Sequence, residues 1–134
     1  MRLNRNLRIL PWTAIFAMRL LAFDPAKDVG IQLRQGHLRI EIPAGVHLKV
    51  RAFKVGLLSS PGQLSLGALP PASGNDETDD PIWRGTVEVP LRGEGLMDPV
   101  ELRVTFQPCT EGEAGVCFLP QRRVVTVHAA DLMP

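Results

Sequence analysis

Short runs of strict apolar–polar alternation, cut apart by glycine and proline, limit the folds open to this chain more than any other feature. In Val100-Glu101-Leu102-Arg103-Val104-Thr105-Phe106, four apolar side chains fall on one face of an extended strand and three polar ones on the other. His37-Leu38-Arg39-Ile40-Glu41-Ile42 repeats the pattern, with Leu38, Ile40 and Ile42 sharing a face. Pro43-Ala44-Gly45 breaks the run. Val46-His47-Leu48-Lys49-Val50-Arg51 resumes it, with Val46, Leu48 and Val50 inward and His47, Lys49 and Arg51 outward. Thr86-Val87-Glu88-Val89-Pro90-Leu91 alternates again, and Pro90, lacking an N–H, predicts an edge strand or a bulge there. Arg123-Val124-Val125-Thr126-Val127 is more apolar and is expected to be a central strand. Residues 59–81 are rich in loop formers, with a short strand expected around Gln63–Leu66.

About seven short strands, separated by turn signals and without a convincing interior helix, predict an all-β domain. The expected architecture is an immunoglobulin-like β-sandwich, with a small barrel as the alternative. The 134 residues suffice for one domain with a core of its own. With 15 basic and 14 acidic residues intermixed, the chain lacks the concentrated positive charge of a nucleic-acid interface. The N-terminal end differs in character. Arg2, Arg5 and Arg8 precede an apolar stretch from Ile9 to Met18, and Arg19 interrupts it. Residues 1–21 are expected to be a signal-like segment or an amphipathic extension, too short and too charged to span a bilayer, with residues 22–134 forming the domain.

The chemistry available to the chain concentrates in its two cysteines, Cys109 and Cys117. The strand ending at Phe106 and a segment resuming near Cys117 predict a hairpin whose loop is Thr110 to Val116. Gly112 and Gly115 are expected to supply positive φ in that loop. Cross-strand partners at a loop base lie close enough for a disulfide. Such a bond is either a structural staple or a pair that exchanges with a partner, and spacing alone leaves both open. Glu111 and Glu113 are expected to raise the thiol pKa values, with Arg122 and Arg123 as possible counter-charges. There is no Cys-x-x-Cys as in a thioredoxin site, and His37, His47 and His128 have no metal-ligand spacing relative to the cysteines. They are expected to be solvated strand-face residues, with no metal and no cofactor called for.

The run Gln107-x-Cys109 … Gly115-Val116-Cys117-Phe118-x-Pro120, followed by Arg123-Val124-Val125-Thr126-Val127, resembles the N-terminal periplasmic domain of the DsbD-type thiol:disulfide interchange family. Ala22-Phe23, Pro43-Ala44-Gly45-Val46-His47-Leu48, Leu69-Pro70 and Asp80-Pro81-Ile82-Trp83-Arg84-Gly85 are similar to further family segments, so the likeness runs over residues 22–129. It implies an immunoglobulin-like sandwich in the periplasm that relays reducing equivalents. A thioredoxin-like donor domain would supply them, and oxidised periplasmic proteins such as isomerases would receive them. The membrane would be reached only through a partner or another domain, so the chain is expected to be a fragment or a stand-alone relative. By the same likeness Cys109 and Cys117 match the redox pair, with Cys117 the attacking thiol and Cys109 the resolving one. Trp83 matches the aromatic residue of a cap loop that shields the pair, although ordinary core packing would equally account for it.

The chain departs from the family in two respects. The spacer between its cysteines is longer, and His47 and Lys49 stand where the family has strand tyrosines. A cation beside the pair would stabilise a thiolate, where a phenol would only donate a hydrogen bond. The alternative function is a non-catalytic sandwich that binds a protein through an edge strand or the loop at 72–81, its disulfide a staple.

Overall fold

The computed structural model describes residues 23–58 and 61–132. The expected N-terminal signal or extension therefore lies outside the described residues. Eleven strands follow in order: β1 (Gly30–Arg34), β2 (His37–Glu41), β3 (Val46–Lys49), β4 (Lys54–Leu57), β5 (Gln63–Leu66), β6 (Gly74–Asn75), β7 (Pro81–Trp83), β8 (Thr86–Glu94), β9 (Val100–Phe106), β10 (Pro108–Thr110) and β11 (Gln121–Val127). Two short 3-10 turns, Val50–Ala52 and Ala129–Leu132, are the helical segments among the described residues. None is long and apolar enough to cross a membrane.

The strands form antiparallel sheets in the orders β1-β2-β8-β5, β11-β9-β4 and β10-β3-β7-β6. The last two are successive stretches of one layer. β3 leads through the 3-10 turn into β4, β9 leads through Gln107 into β10, and the Lys49 amide donates to the Gln107 carbonyl at 3.1 Å across the join. The result is the immunoglobulin-like sandwich that the alternation predicts. Its core joins Leu38 and Ile40 of β2 and Val87, Val89 and Leu91 of β8 with Val100, Leu102, Val104 and Phe106 of β9. Each such burial stabilises the fold by about 1.5–3 kcal/mol before the entropy of ordering is counted.

The pairing corrects one expectation, bears out a second and adds a strand that the alternation did not show. β11 is an edge strand, with β9 central between β11 and β4, and Val124 is 53% exposed because its face has no layer above it. Pro90 lies inside the nine-residue β8 but at a local edge, as expected: Thr86–Pro90 pair only with β2, and β5 pairs only with Leu91–Glu94. The Gly67 amide donates to the Pro90 carbonyl, but proline has no N–H to return the bond, so the β5 ladder ends at Leu66–Leu91. β1 begins before the predicted alternation, closing on β2 through Gln35-Gly36, both at positive φ, as a two-residue hairpin requires.

Candidate active site

Period-2 geometry gives the β10-β3-β7 ribbon two chemically different faces. Leu48 is in register with both Pro108 and Trp83, and these point to the core. One residue out of phase, His47 pairs with Cys109 and Lys49 with Ile82, which places all four on the opposite face. Ile82 and Cys109 are nonetheless 0% and 1% exposed. The acidic turn between β6 and β7 lies over that face. Lys49 Nζ is 3.0 Å from Asp76 Oδ2 and 3.6 Å from Asp80 Oδ2, and Arg51 reaches Asp80 at 3.1 Å. Between this turn and the cysteine hairpin lies a cleft of about 380 Å³, lined by His47, Ile82, Arg84, Glu111 and both cysteines.

Cys109 and Cys117 form a disulfide, Sγ–Sγ 2.06 Å, with Cα atoms 4.0 Å apart. The Thr110 amide donates to Val116 O at 2.9 Å and the Phe118 amide to Pro108 O at 3.0 Å. These bonds flank the cysteines, which are therefore a closely spaced, non-hydrogen-bonded cross-strand pair. The hairpin is held beside the disulfide as well as by it. Further ties come from the Glu111 amide to Gly45 O at 2.9 Å, from Gln107 Nε2 to Phe118 O at 3.1 Å, and from Phe118 packed on Phe23 with centroids 5.8 Å apart. Within the loop Gly112 takes φ 103°, as expected. Gly115 does not need positive φ; a Cβ there would lie 2.5 Å from the Thr110 carbonyl oxygen, so close backbone approach is what requires glycine. The two half-cystines differ sharply in access: Cys109 is buried and Cys117 exposed.

Trp83, expected as a candidate lid beside the pair, lies on the other side of the sheet. It is 0% exposed, meets Phe53 edge-on at 5.2 Å, and its indole N–H donates to Pro70 O at 3.2 Å. Its register with Leu48 turns it inward, so Ile82 faces the cleft instead. His47, expected to be solvated, is only 9% exposed. Its Nδ1 lies 3.1 Å from Glu111 Oε2, which also accepts from Arg84 Nε at 2.7 Å. Lys49 is directed to the acidic turn.

These ion pairs set the charge balance. Arg84, and then His47, hold the Glu111 carboxyl below the usual carboxylate range against the opposing effect of burial, while Glu111 raises Arg84. Asp76 is held well below its ordinary value, chiefly by the Asp80 amide and then by Lys49 and Thr78. Lys49 is raised in turn by its bond to Asp76. Glu111 is thus neutralised locally, and its counter-charge is Arg84 rather than the expected Arg122 or Arg123. Arg123, one of the expected counter-charges, packs over the Phe106 ring at 5.3 Å and donates to the Val29 and Ala26 carbonyls. Burial lowers its pKa. Arg84, Asp76 and Ile82 were not singled out from the sequence, because β7 is too short to show a period and the ion pairs join positions far apart in the chain. Among the described residues no group of three or more His, Cys, Asp or Glu side chains is placed to hold a metal ion.

The site is a hairpin disulfide on a β-sandwich, with Cys109 buried and Cys117 exposed, an arrangement compatible with thiol–disulfide exchange. The family model for the thiol:disulfide interchange protein DsbD, N-terminal, matches residues 17–129. The chain belongs to that family. Among solved structures it is similar in fold to the Neisseria meningitidis DsbD N-terminal domain in the reduced form. That likeness has a TM-score of 0.57 and 18% identity, and covers 79% of this chain and 89% of the other. No curated protein matches the sequence.

Proposed function

We propose that this domain carries reducing equivalents in the periplasm through Cys109 and Cys117, taking them from a thioredoxin-like donor and passing them to oxidised proteins such as disulfide isomerases. The observation that carries this is the unequal burial of the two cysteines. Exchange proceeds by attack of a thiolate on an accessible sulfur. A donor thiolate attacks Cys117 Sγ, forming a mixed disulfide and expelling the Cys109 thiolate. A second donor thiol then resolves the mixed disulfide, leaving both cysteines reduced and the donor oxidised. In the forward discharge, the Cys117 thiolate attacks the acceptor's disulfide, and Cys109 resolves the mixed disulfide by attacking Cys117 Sγ. The flanking backbone bonds keep the hairpin in place while the sulfur bridge opens.

Activity of the isolated domain is part of the proposal. In a Cys109→Ser variant, Cys117 should accumulate as a mixed disulfide with a thioredoxin-like or isomerase-type partner, whereas Cys117→Ser should trap little. A reduction potential well below about −300 mV, the range of structural disulfides, together with no trapped species, overturns the relay.

A further inference from the structure

Expelling Cys109 as a thiolate leaves an anion on a residue that is 1% exposed, a costly state unless a proton or a cation meets it. His47 is its cross-strand partner on the same face and lines the same cleft. One ring nitrogen, Nδ1, is taken by Glu111 Oε2. The other, Nε2, is buried and has no hydrogen-bond partner among the described residues. Buried polar atoms are rarely left unpaired, and the exceptions cluster where chemistry needs them. In the disulfide state Cys109 has no thiol hydrogen to give and no charge to attract one. On reduction it gains both capacities.

We propose that His47 is the proton-transfer group for Cys109, acting through Nε2, with Glu111 as a positioning residue that Arg84 holds in place. This rests on the exchange role proposed above. When the donor thiolate attacks Cys117 Sγ, the S–S bond breaks and its electron pair stays on Cys109. The Nε2 proton of an imidazolium then passes to that sulfur, leaving a Cys109 thiol and a neutral imidazole. In discharge the order reverses: Nε2 takes the Cys109 proton, the thiolate attacks Cys117 Sγ, and the acceptor's thiolate departs. Because Glu111 remains ionised, Nδ1 keeps its hydrogen throughout, and the proton is gained and lost at Nε2 alone.

The other charged groups of the cleft are engaged elsewhere or exposed. Arg84 bonds Glu111 on the Nδ1 side, Lys49 bonds Asp76 of the overlying turn, and Glu77 of that turn is exposed. His47 is thus the side chain placed opposite Cys109 in the strand register, with Nε2 unpartnered.

The test is the initial rate of disulfide opening by dithiothreitol across pH, corrected for reductant ionisation, in the full chain and in His47→Gln and Glu111→Gln variants. The wild type should show an inflection near neutrality, where an imidazole gains and loses its proton. His47→Gln should lose the inflection and slow opening near neutrality by about tenfold or more. Glu111→Gln should move the inflection to lower pH, because the imidazolium loses its carboxylate. An unchanged profile in His47→Gln, or an equal slowing at every pH, overturns the proposal. A second readout needs no variant: the Nε2 nitrogen-15 shift of wild-type His47 should change between the oxidised and reduced forms at one pH, and a constant shift overturns it. A pair that dithiothreitol cannot open marks failure of the exchange role itself; normal opening with an unaltered profile sinks the His47 proposal alone.

Discussion

The two faces of the β10-β3-β7 ribbon are built from alternate residues of the same strands and behave as different materials. Inward, Leu48 and Trp83 join an apolar core continuous with β2, β8 and β9. Outward, His47, Lys49 and Cys109 line a cleft of ion pairs around a disulfide. A core face is stabilised by contact and tolerates little loss of volume. The cleft face carries charge pairs that run from mostly covered, as Lys49 with Asp76 and His47 with Glu111, to half-exposed, as Arg84 with Glu111, and these set protonation. One strand can therefore anchor the fold and present reactive groups, since a step of one residue changes the face.

The sharpest way to break that contrast is at Trp83. Trp83→Ala should cost about 3–5 kcal/mol of stability and lower the melting temperature steeply, as buried aromatic truncations do. A near-native melt with an altered exchange rate would instead make Trp83 part of the site. Next in size is the double substitution Cys109→Ser, Cys117→Ser. It should abolish exchange while costing about 2.5 kcal/mol on the loop-entropy model, with far-ultraviolet circular dichroism unchanged because the flanking backbone bonds remain.

Arg84→Met sharpens the contrast through pH. The folded Glu111 pKa lies below the ordinary value, so its contribution to stability is present above that value and is lost as pH falls through the depressed one. The urea midpoint of the wild type should fall on acidification from about pH 6 to about pH 3, and in Arg84→Met it should fall less. The Asp76 pairing has the same sign and adds to the acid loss in both proteins. The smallest effect is expected at Lys49. Lys49→Met should leave the melting temperature almost unchanged, yet speed alkylation of Cys109 in a Cys117→Ser background by freeing the turn that carries Asp76 and Asp80. An alkylation rate equal to that of the Lys49-containing protein would show that the turn does not guard the sulfur.

The strands with long, clean alternation were legible in the sequence. β2, β8 and β9 appear where the pattern placed them, as does the hairpin that brings Cys109 to Cys117. The three-residue β7 was not, because Pro81-Ile82-Trp83 is too short to show a period and begins with proline. Its phase alone decides whether Trp83 or Ile82 looks into the cleft. β11 was expected in the middle of its sheet because it is apolar, but apolarity does not report which strand has two neighbours. The contacts between Glu111 and its two partners join residues 64 and 27 positions apart, beyond the reach of any local pattern.

By itself, then, the sequence determined that the chain is an all-β domain with two cysteines facing one another across a hairpin. Both follow from local rules: side chains alternate along a strand, and a glycine-containing loop folds a strand back. Only the tertiary structure decided that Cys109 is buried and Cys117 exposed, that Trp83 belongs to the core, and that His47 meets Glu111 beside the disulfide. Those outcomes depend on which distant strands pair and in what register, and a one-residue change of register exchanges every inward side chain for an outward one.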